Sequence, residues 1–114
     1  MKNLLPLLLL LLTVSCKKIA TIPASNKVSI SNITLHTSLK LTNNTNAAVD
    51  LNNWQLKEVV DYISTSTNSF TITGKIILKG SDITFSAAEL GFGLNFMYTR
   101  IYLYDNSGNL IDEH

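Results

Sequence analysis

Apolar and polar residues alternate in short runs from Lys27 to the end of the chain. A period of two is typical of strands that bury one face, and turn signals about every 8 to 12 residues indicate a sandwich or barrel. Phe70 and Ile72 belong to one such strand, whereas Ile101–Tyr104 is apolar on both faces, as in a central strand. The pattern predicts an all-β domain, a sandwich of about seven or eight short strands over residues 27–114.

The parity of the apolar positions changes in the first part of this domain. Val28 and Ile30 are apolar at even positions, and further on Ile33 and Leu41 are apolar at odd positions. Successive side chains of a strand face opposite sides of the sheet, so a change of parity requires an inserted residue. We therefore expect a β-bulge near Ser31–Asn32.

The single tryptophan, Trp54, opens a run in which Trp54 and Leu56 are predicted to face inward. An exposed tryptophan would instead offer a stacking platform for a sugar or a base. In β-sandwiches a tryptophan is more often packed between the sheets, and we assign Trp54 to the core on that ground. The predicted core residues are Trp54, Leu56, Phe70, Ile72 and Leu103.

Polar segments between the strands are predicted to be turns and loops. Ser64–Asn68 is predicted as a polar loop, and Lys79–Gly80 as a turn between two strands. Ser86–Glu89 has the spacing of a capping box, which would suit one helical turn, but we interpret it as a connection. Asp105–Asn109 is predicted as a hairpin turn, because Asn and Gly adopt the backbone conformations that turns require.

The first residues of the chain indicate a secretory signal rather than part of the fold. Met1–Asn3 carries a positive charge, Leu4–Leu12 is nearly all leucine, and the small residue Ser15 precedes Cys16. This apolar run is too short for a transmembrane helix, which needs about 20 residues. The segment resembles a bacterial lipoprotein signal peptide, although Thr13 stands where that family usually has Leu.

This resemblance implies that residues 1–15 are cleaved and that Cys16 carries diacylglycerol on its thiol and an acyl chain on its amine. Two or more acyl chains attach a protein stably to a membrane. An ordinary signal peptide would instead leave a free thiol. Residues 16–26 would form the lipidated N-terminus and a tether. Lys17 and Lys18 replace the acidic residues that follow the cysteine in Bacteroidota-type surface lipoproteins, which favours the periplasmic side of the outer membrane.

Composition narrows the classes of partner. The chain has 114 residues and a formal net charge of +1, and loss of the signal peptide with Lys2 leaves the remainder neutral. A neutral domain lacks the clustered Lys and Arg that neutralise phosphates, which counts against a nucleic acid partner. A single cysteine excludes an internal disulfide and a cysteine-based metal site.

Five stretches of the domain, in order, resemble the lamin tail domain, an immunoglobulin-like β-sandwich found in nuclear lamins and in many bacterial exported proteins. The most diagnostic is the run of an acidic residue, Leu, a small residue, Asn, Trp and Leu within Val49–Leu56. The last two stretches match the family's middle and closing hairpins. Ser38 and Lys40 depart from the Trp and Glu of its second strand. The matching stretches are Ile30–Ile33, Leu39–Asn43, Val49–Leu56, Phe70–Phe85 and Ile101–Asp112.

No constellation of residues suggests catalysis, a cofactor or a metal site. His36 is predicted to face solvent, with no second histidine nearby in the sequence. Asp105, Ser107 and Asn109 have the spacing of the first ligands of a calcium loop. Leu110, however, occupies the position that requires glycine, so a turn explains these residues better. We therefore predict a protein that is not an enzyme.

Tyr102 and Tyr104 share one face of their strand and form the candidate binding surface, suited to a protein or a glycan partner. The resemblance implies a non-catalytic interaction or scaffolding module, held at the cell envelope by lipidated Cys16. The alternative is a carbohydrate- or nucleic-acid-binding accessory domain that acts beside an enzyme. A third hypothesis, a hydrolase, would require a polar pocket that contains His36 and two carboxylates.

Overall fold

A computed structural model describes residues 26–95 and 97–114. The predicted signal peptide, the Cys16 lipidation site and most of the predicted tether lie outside the described residues. Within them the chain forms an all-β sandwich with one short helix, α1 (Ala87–Leu90). The nine strands are β1 (Val28–Thr34), β2 (Ser38–Asn43), β3 (Val49–Asp50), β4 (Gln55–Asp61), β5 (Thr65–Thr71), β6 (Ile76–Ile77), β7 (Asp82–Ser86), β8 (Thr99–Tyr104) and β9 (Leu110–Glu113).

The strands form two main antiparallel sheets and a two-stranded ribbon. One sheet has the order β1-β2-β7, the other has the order β5-β4-β8-β9, and β3 pairs with β6. Inward-facing residues of both sheets build one core, as expected for a sandwich. The largest fully buried apolar side chains are Phe85, Leu39, Leu41, Leu51, Leu56, Ile72, Ile77, Leu94 and Leu103.

The predicted bulge in the first strand is confirmed. The register between β1 and β2 shifts between Ile30 and Asn32, so that Ile30 pairs with Leu41 and Asn32 with Lys40. The inserted residue is Ser31, which is exposed. The bulge keeps the apolar residues on both sides of it directed to the core.

The prediction of a polar loop at Ser64–Asn68 is wrong. Thr65–Thr71 forms β5, which pairs with all seven residues of β4 without a shift in register. Thr favours strands, and a strand at the edge of a sheet needs few apolar residues because little of it is buried. The connection between β4 and β5 is therefore limited to residues 62–64.

The middle hairpin expected within Phe70–Phe85 is also wrong, because β6 pairs with β3 while β7 pairs with β2. The turn at Gly80 instead carries the chain between sheets, and Gly80 has a φ of +71°.

Ser86 begins a helical turn rather than a plain connection. Its hydroxyl accepts a hydrogen bond from Glu89 N at 3.0 Å, and Gly91 ends the helix at a φ of +74°. The closing hairpin of β8 and β9 is confirmed.

Candidate functional site

Exposed aromatic side chains gather at one end of the sandwich, where β4 ends and β8 begins. Asp61 N donates a hydrogen bond to Tyr98 O at 2.7 Å, which fixes the β4–β5 connection beside the segment before β8. The rings of Tyr62 and Tyr98 lie 4.9 Å apart between centroids, with their planes tilted by 48°. This geometry suits an attractive contact between aromatic rings. Two residues that are distant in sequence thus form one surface.

An exposed apolar residue adjoins each tyrosine in sequence, and we define the Tyr62–Tyr98 surface by Tyr62, Ile63, Met97 and Tyr98. The exposed fractions of these residues are 64%, 88%, 65% and 55%, respectively. An open depression of about 370 Å³ lies between Tyr62, Met97 and Tyr98, with Val60 and Asn95 on its walls. Clustered exposed apolar side chains of this kind mark interaction sites more often than isolated ones do.

The Tyr62–Tyr98 surface lies at the end of the sandwich opposite to the start of β1. Asp112 Oδ2 accepts a hydrogen bond from Ile30 N at 2.7 Å, and Asp112 Oδ1 accepts one from Lys27 Nζ at 2.9 Å. These contacts place the start of β1 beside the middle of β9. The Tyr62–Tyr98 surface lies beyond the far end of β4. The seven residues of this strand therefore place the surface about 20 Å from the start of β1.

The segment that carries Tyr98 is tied to the core by Glu58, a buried carboxylate that is only 2% exposed. Glu58 Oε2 accepts a hydrogen bond from Leu94 N at 2.9 Å, while Oε1 accepts one from Asn68 Nδ2 at 3.1 Å. Gly93 N lies 3.4 Å from Oε1. Glu58 therefore holds the irregular segment between α1 and β8 against β4. We did not predict this role, although Glu58 continues the inward parity of Trp54 and Leu56.

The five predicted core residues all contribute to the core, but their side chains are buried to different degrees. Leu56, Ile72 and Leu103 are fully buried. Trp54 and Phe70 are partly buried and pack against the same core. Trp54 is less enclosed than expected because it precedes β4, at the rim of the sheet. Phe70 makes an edge-to-face contact with Phe85 at 5.7 Å between ring centroids.

Tyr102 and Tyr104 share the outer face of β8, and both are half-buried. Their ring centroids are 6.4 Å apart, with planes tilted by 35°. Lys57 Nζ lies 5.1 Å from the centroid of the Tyr104 ring, a cation–π contact that covers part of that ring. The structure thus divides the tyrosines into two pairs, and the more exposed pair is Tyr62 with Tyr98.

His36 is exposed and lies in the turn between β1 and β2, with a φ of +57°. Its Nδ1 is 3.0 Å from Gly93 O, and its backbone N donates to Leu94 O at 3.1 Å. These contacts join the turn to the segment held by Glu58. Over residues 26–95 and 97–114, no group of three or more His, Cys, Asp or Glu side chains is placed to hold a metal ion.

The turn between β8 and β9 is organised by Asp105. Its Oδ1 accepts hydrogen bonds from Ser107 N and Asn109 N, both at 2.9 Å, and its Oδ2 accepts one from Asn109 Nδ2 at 3.0 Å. The Asn109 side chain and then its backbone N–H lower the pKa of Asp105 below the ordinary value of 3.8. The residues with calcium-loop spacing thus serve the turn itself.

We expect the lowered pKa of Asp105 to appear in the pH dependence of stability. A depressed folded-state pKa stabilises the fold above the unfolded-state pKa, and this contribution is lost as the pH falls through the folded-state pKa. The difference in melting temperature between the protein and its Asp105→Asn variant should therefore shrink as the pH falls from about 5 to about 2. A constant difference over that range would contradict the assignment.

Comparison with protein-family models and with curated proteins found no match to this chain. In the part of the chain that the structure describes, no helix has the length and apolar character needed to cross a bilayer.

Proposed function

We propose that this protein is a non-catalytic interaction module, similar to a lamin tail domain, that is anchored in the cell envelope by lipidated Cys16. The observation that carries the proposal is the Tyr62–Tyr98 surface, because it exposes two tyrosines, an isoleucine and a methionine together. The lipobox-like sequence before Cys16 supports the anchor. The all-β sandwich agrees with the fold that the resemblance to lamin tail domains implies.

The Tyr62–Tyr98 surface suits a protein partner. Aromatic residues and Met are enriched where proteins meet, and a few aromatic anchors commonly carry most of the binding energy. Hydrogen bonds fix the backbone of this surface. Asp61 N donates to Tyr98 O, and Glu58 accepts from Leu94 N in the segment before Tyr98. A preorganised surface loses less conformational freedom on binding. Its position about 20 Å from the start of β1 leaves it accessible beyond a tether.

We expect a photo-crosslinking amino acid at Met97 to form a discrete adduct with one envelope protein in intact cells. Tyr62→Ala in the same chain should lower the yield of that adduct at least about fivefold, since an aromatic anchor is lost. The measurement is the adduct band in membranes after illumination. The matched control carries the crosslinker at Ile76, which is 63% exposed and belongs to β6, away from the surface. Equal adducts from both positions, or one that Tyr62→Ala leaves unchanged, would contradict the proposal.

A carbohydrate-binding accessory domain is the second candidate, and the pair of Tyr102 and Tyr104 on the outer face favours it. Aromatic rings on an open sheet face are a common platform for the apolar face of a sugar. Binding of isolated envelope glycans that is lost in Tyr104→Ala and kept in Tyr62→Ala would support this candidate over a protein partner.

A further inference from the structure

We infer that β5 is a self-association edge, through which two copies of this chain pair antiparallel and join their four-stranded sheets into one sheet of eight strands. The proposal concerns a different surface from the Tyr62–Tyr98 surface and does not depend on the lipid anchor. It follows from three features of β5: a free hydrogen-bonding edge, the lack of any protecting device on it, and a sequence that is complementary to itself.

The free edge follows from the hydrogen-bond pattern of the sheet. Residues of an antiparallel strand alternate between bonding to one neighbour and pointing to the other side. Ile72 N donates to Trp54 O at 2.8 Å, in the register that continues the pairing of Thr71 with Gln55. Even-numbered residues of β5 therefore bond to β4. The N–H and C=O groups that point away from the sheet belong to Thr65, Thr67, Ser69 and Thr71, which are all exposed.

The other edges of the two main sheets are protected. Along β1, Asp112 of the opposite sheet accepts from Ile30 N, and the bulge at Ser31 interrupts the edge. The edge strand β7 is shorter than β5, with five residues, and begins with the charged residue Asp82. Charges, bulges and covering contacts of this kind are the devices by which proteins prevent edge-to-edge pairing. The opposite edge of β5's own sheet, β9, is likewise charged and covered by β1.

Strand β5 has none of these devices. Its sequence, Thr-Ser-Thr-Asn-Ser-Phe-Thr, contains no charged residue and no proline, and its pairing with β4 runs over seven residues without a bulge. An exposed strand that is long and regular is a template for another strand. The absence of charge also means that a second copy can approach without repulsion between β5 strands.

One register uses the entire free edge. If Asn68 lies on the two-fold axis, Thr65 pairs with Thr71 of the second copy, and Thr67 pairs with Ser69. All four outward-pointing residues of each copy then exchange N–H to C=O hydrogen bonds with the other copy. The cross-strand pairs on the outer face are Thr with Thr and Thr with Ser, which stabilise antiparallel sheets. The symmetry is isologous, as in most dimers of identical chains.

We would test the register with Asn68→Cys in the full chain, in the membranes of the cells that produce it. On the two-fold axis the two Asn68 positions form a non-hydrogen-bonded pair with a Cα separation of about 4.5 Å, within the range that a disulfide bridges. Mild oxidation should give a product of twice the mass on a non-reducing gel. Thr73→Cys is the matched control, since Thr73 is exposed but lies beyond β5, and Cys16 is present in both variants.

A second measurement leaves Asn68 unchanged. Sedimentation of the full chain in detergent should show a dimer, and Thr67→Lys should lower the association constant at least about tenfold, because it places a charge at the paired edge. Thr73→Lys should leave it unchanged. A monomer at all concentrations, a dimer that is insensitive to Thr67→Lys, or an Asn68→Cys adduct with a different protein would overturn the proposal.

Discussion

Glu58→Ala is expected to lower the free energy of unfolding by about 3–5 kcal/mol. The substitution removes the acceptor of Leu94 N, a buried donor, and of the neighbouring Gly93 N. An unsatisfied buried donor costs about 1–3 kcal/mol. Loss of the side-chain volume adds a cavity cost. Denaturant unfolding followed by the fluorescence of Trp54, the only tryptophan, measures the change.

Two variants serve as comparisons, one that keeps a hydrogen-bond acceptor at position 58 and one that removes a carboxylate elsewhere. Glu58→Gln keeps one side-chain oxygen as an acceptor and should lose only about 1–2 kcal/mol. Glu89→Ala removes an exposed carboxylate from α1 and should change the stability by less than about 0.5 kcal/mol. A Glu58→Ala variant as stable as Glu89→Ala would show that the segment between α1 and β8 is held by other contacts.

Glu58→Ala is also expected to affect the Tyr62–Tyr98 surface. Glu58 positions residues 93–94, and four residues later the chain reaches Tyr98. We expect Glu58→Ala to reduce crosslinking at Met97 as well as stability, because the Tyr62–Tyr98 surface would lose its preorganisation. A packing variant of similar cost elsewhere, such as Ile77→Ala in β6, should leave the crosslink intact under conditions where both variants are folded.

Residues whose environment follows from local alternation were predicted well. The bulge near Ser31 could be found because it reverses the parity of Ile30 and Ile33, and the closing hairpin because Asp105 and Gly108 are typical turn residues. The assignment of Thr65–Thr71 failed for a physical reason. Polarity in an edge strand resembles polarity in a loop, and only pairing with β4 distinguishes the two.

The candidate site could not be predicted as a unit, because it depends on contacts between distant residues. Tyr62 and Tyr98 are 36 positions apart, and the hydrogen bond of Asp61 to Tyr98 brings them together. Tyr102 and Tyr104 were easier to pair because alternation places them on one face. The inward position of Glu58 continues the parity of Trp54 and Leu56, but a carboxylate in a core is rare enough that its partners are needed to explain it.

The proposed lipid anchor at Cys16 is expected to provide nearly all of the attachment to the membrane. We expect Cys16→Ser to move the protein from the membrane fraction to the soluble fraction almost completely. Each buried methylene of an acyl chain contributes about 0.8 kcal/mol to membrane binding, so the loss of all three chains removes nearly all of the attachment. Lys17 and Lys18 provide little compensation, because the chain from Cys16 onward carries no net charge even when both lysines are counted. Lys17→Ser is the matched control, which should leave the protein in the membrane.

The intact mass of the protein from native membranes, determined beside that of Cys16→Ser, tests whether Cys16 carries a lipid anchor. We predict a chain that begins at Cys16, carries the added mass of a diacylglyceryl and an acyl group, and sediments with membranes. The variant should lack the added mass and remain in solution. Soluble forms of both proteins with no added mass would contradict the anchored module and leave the β-sandwich as a secreted domain.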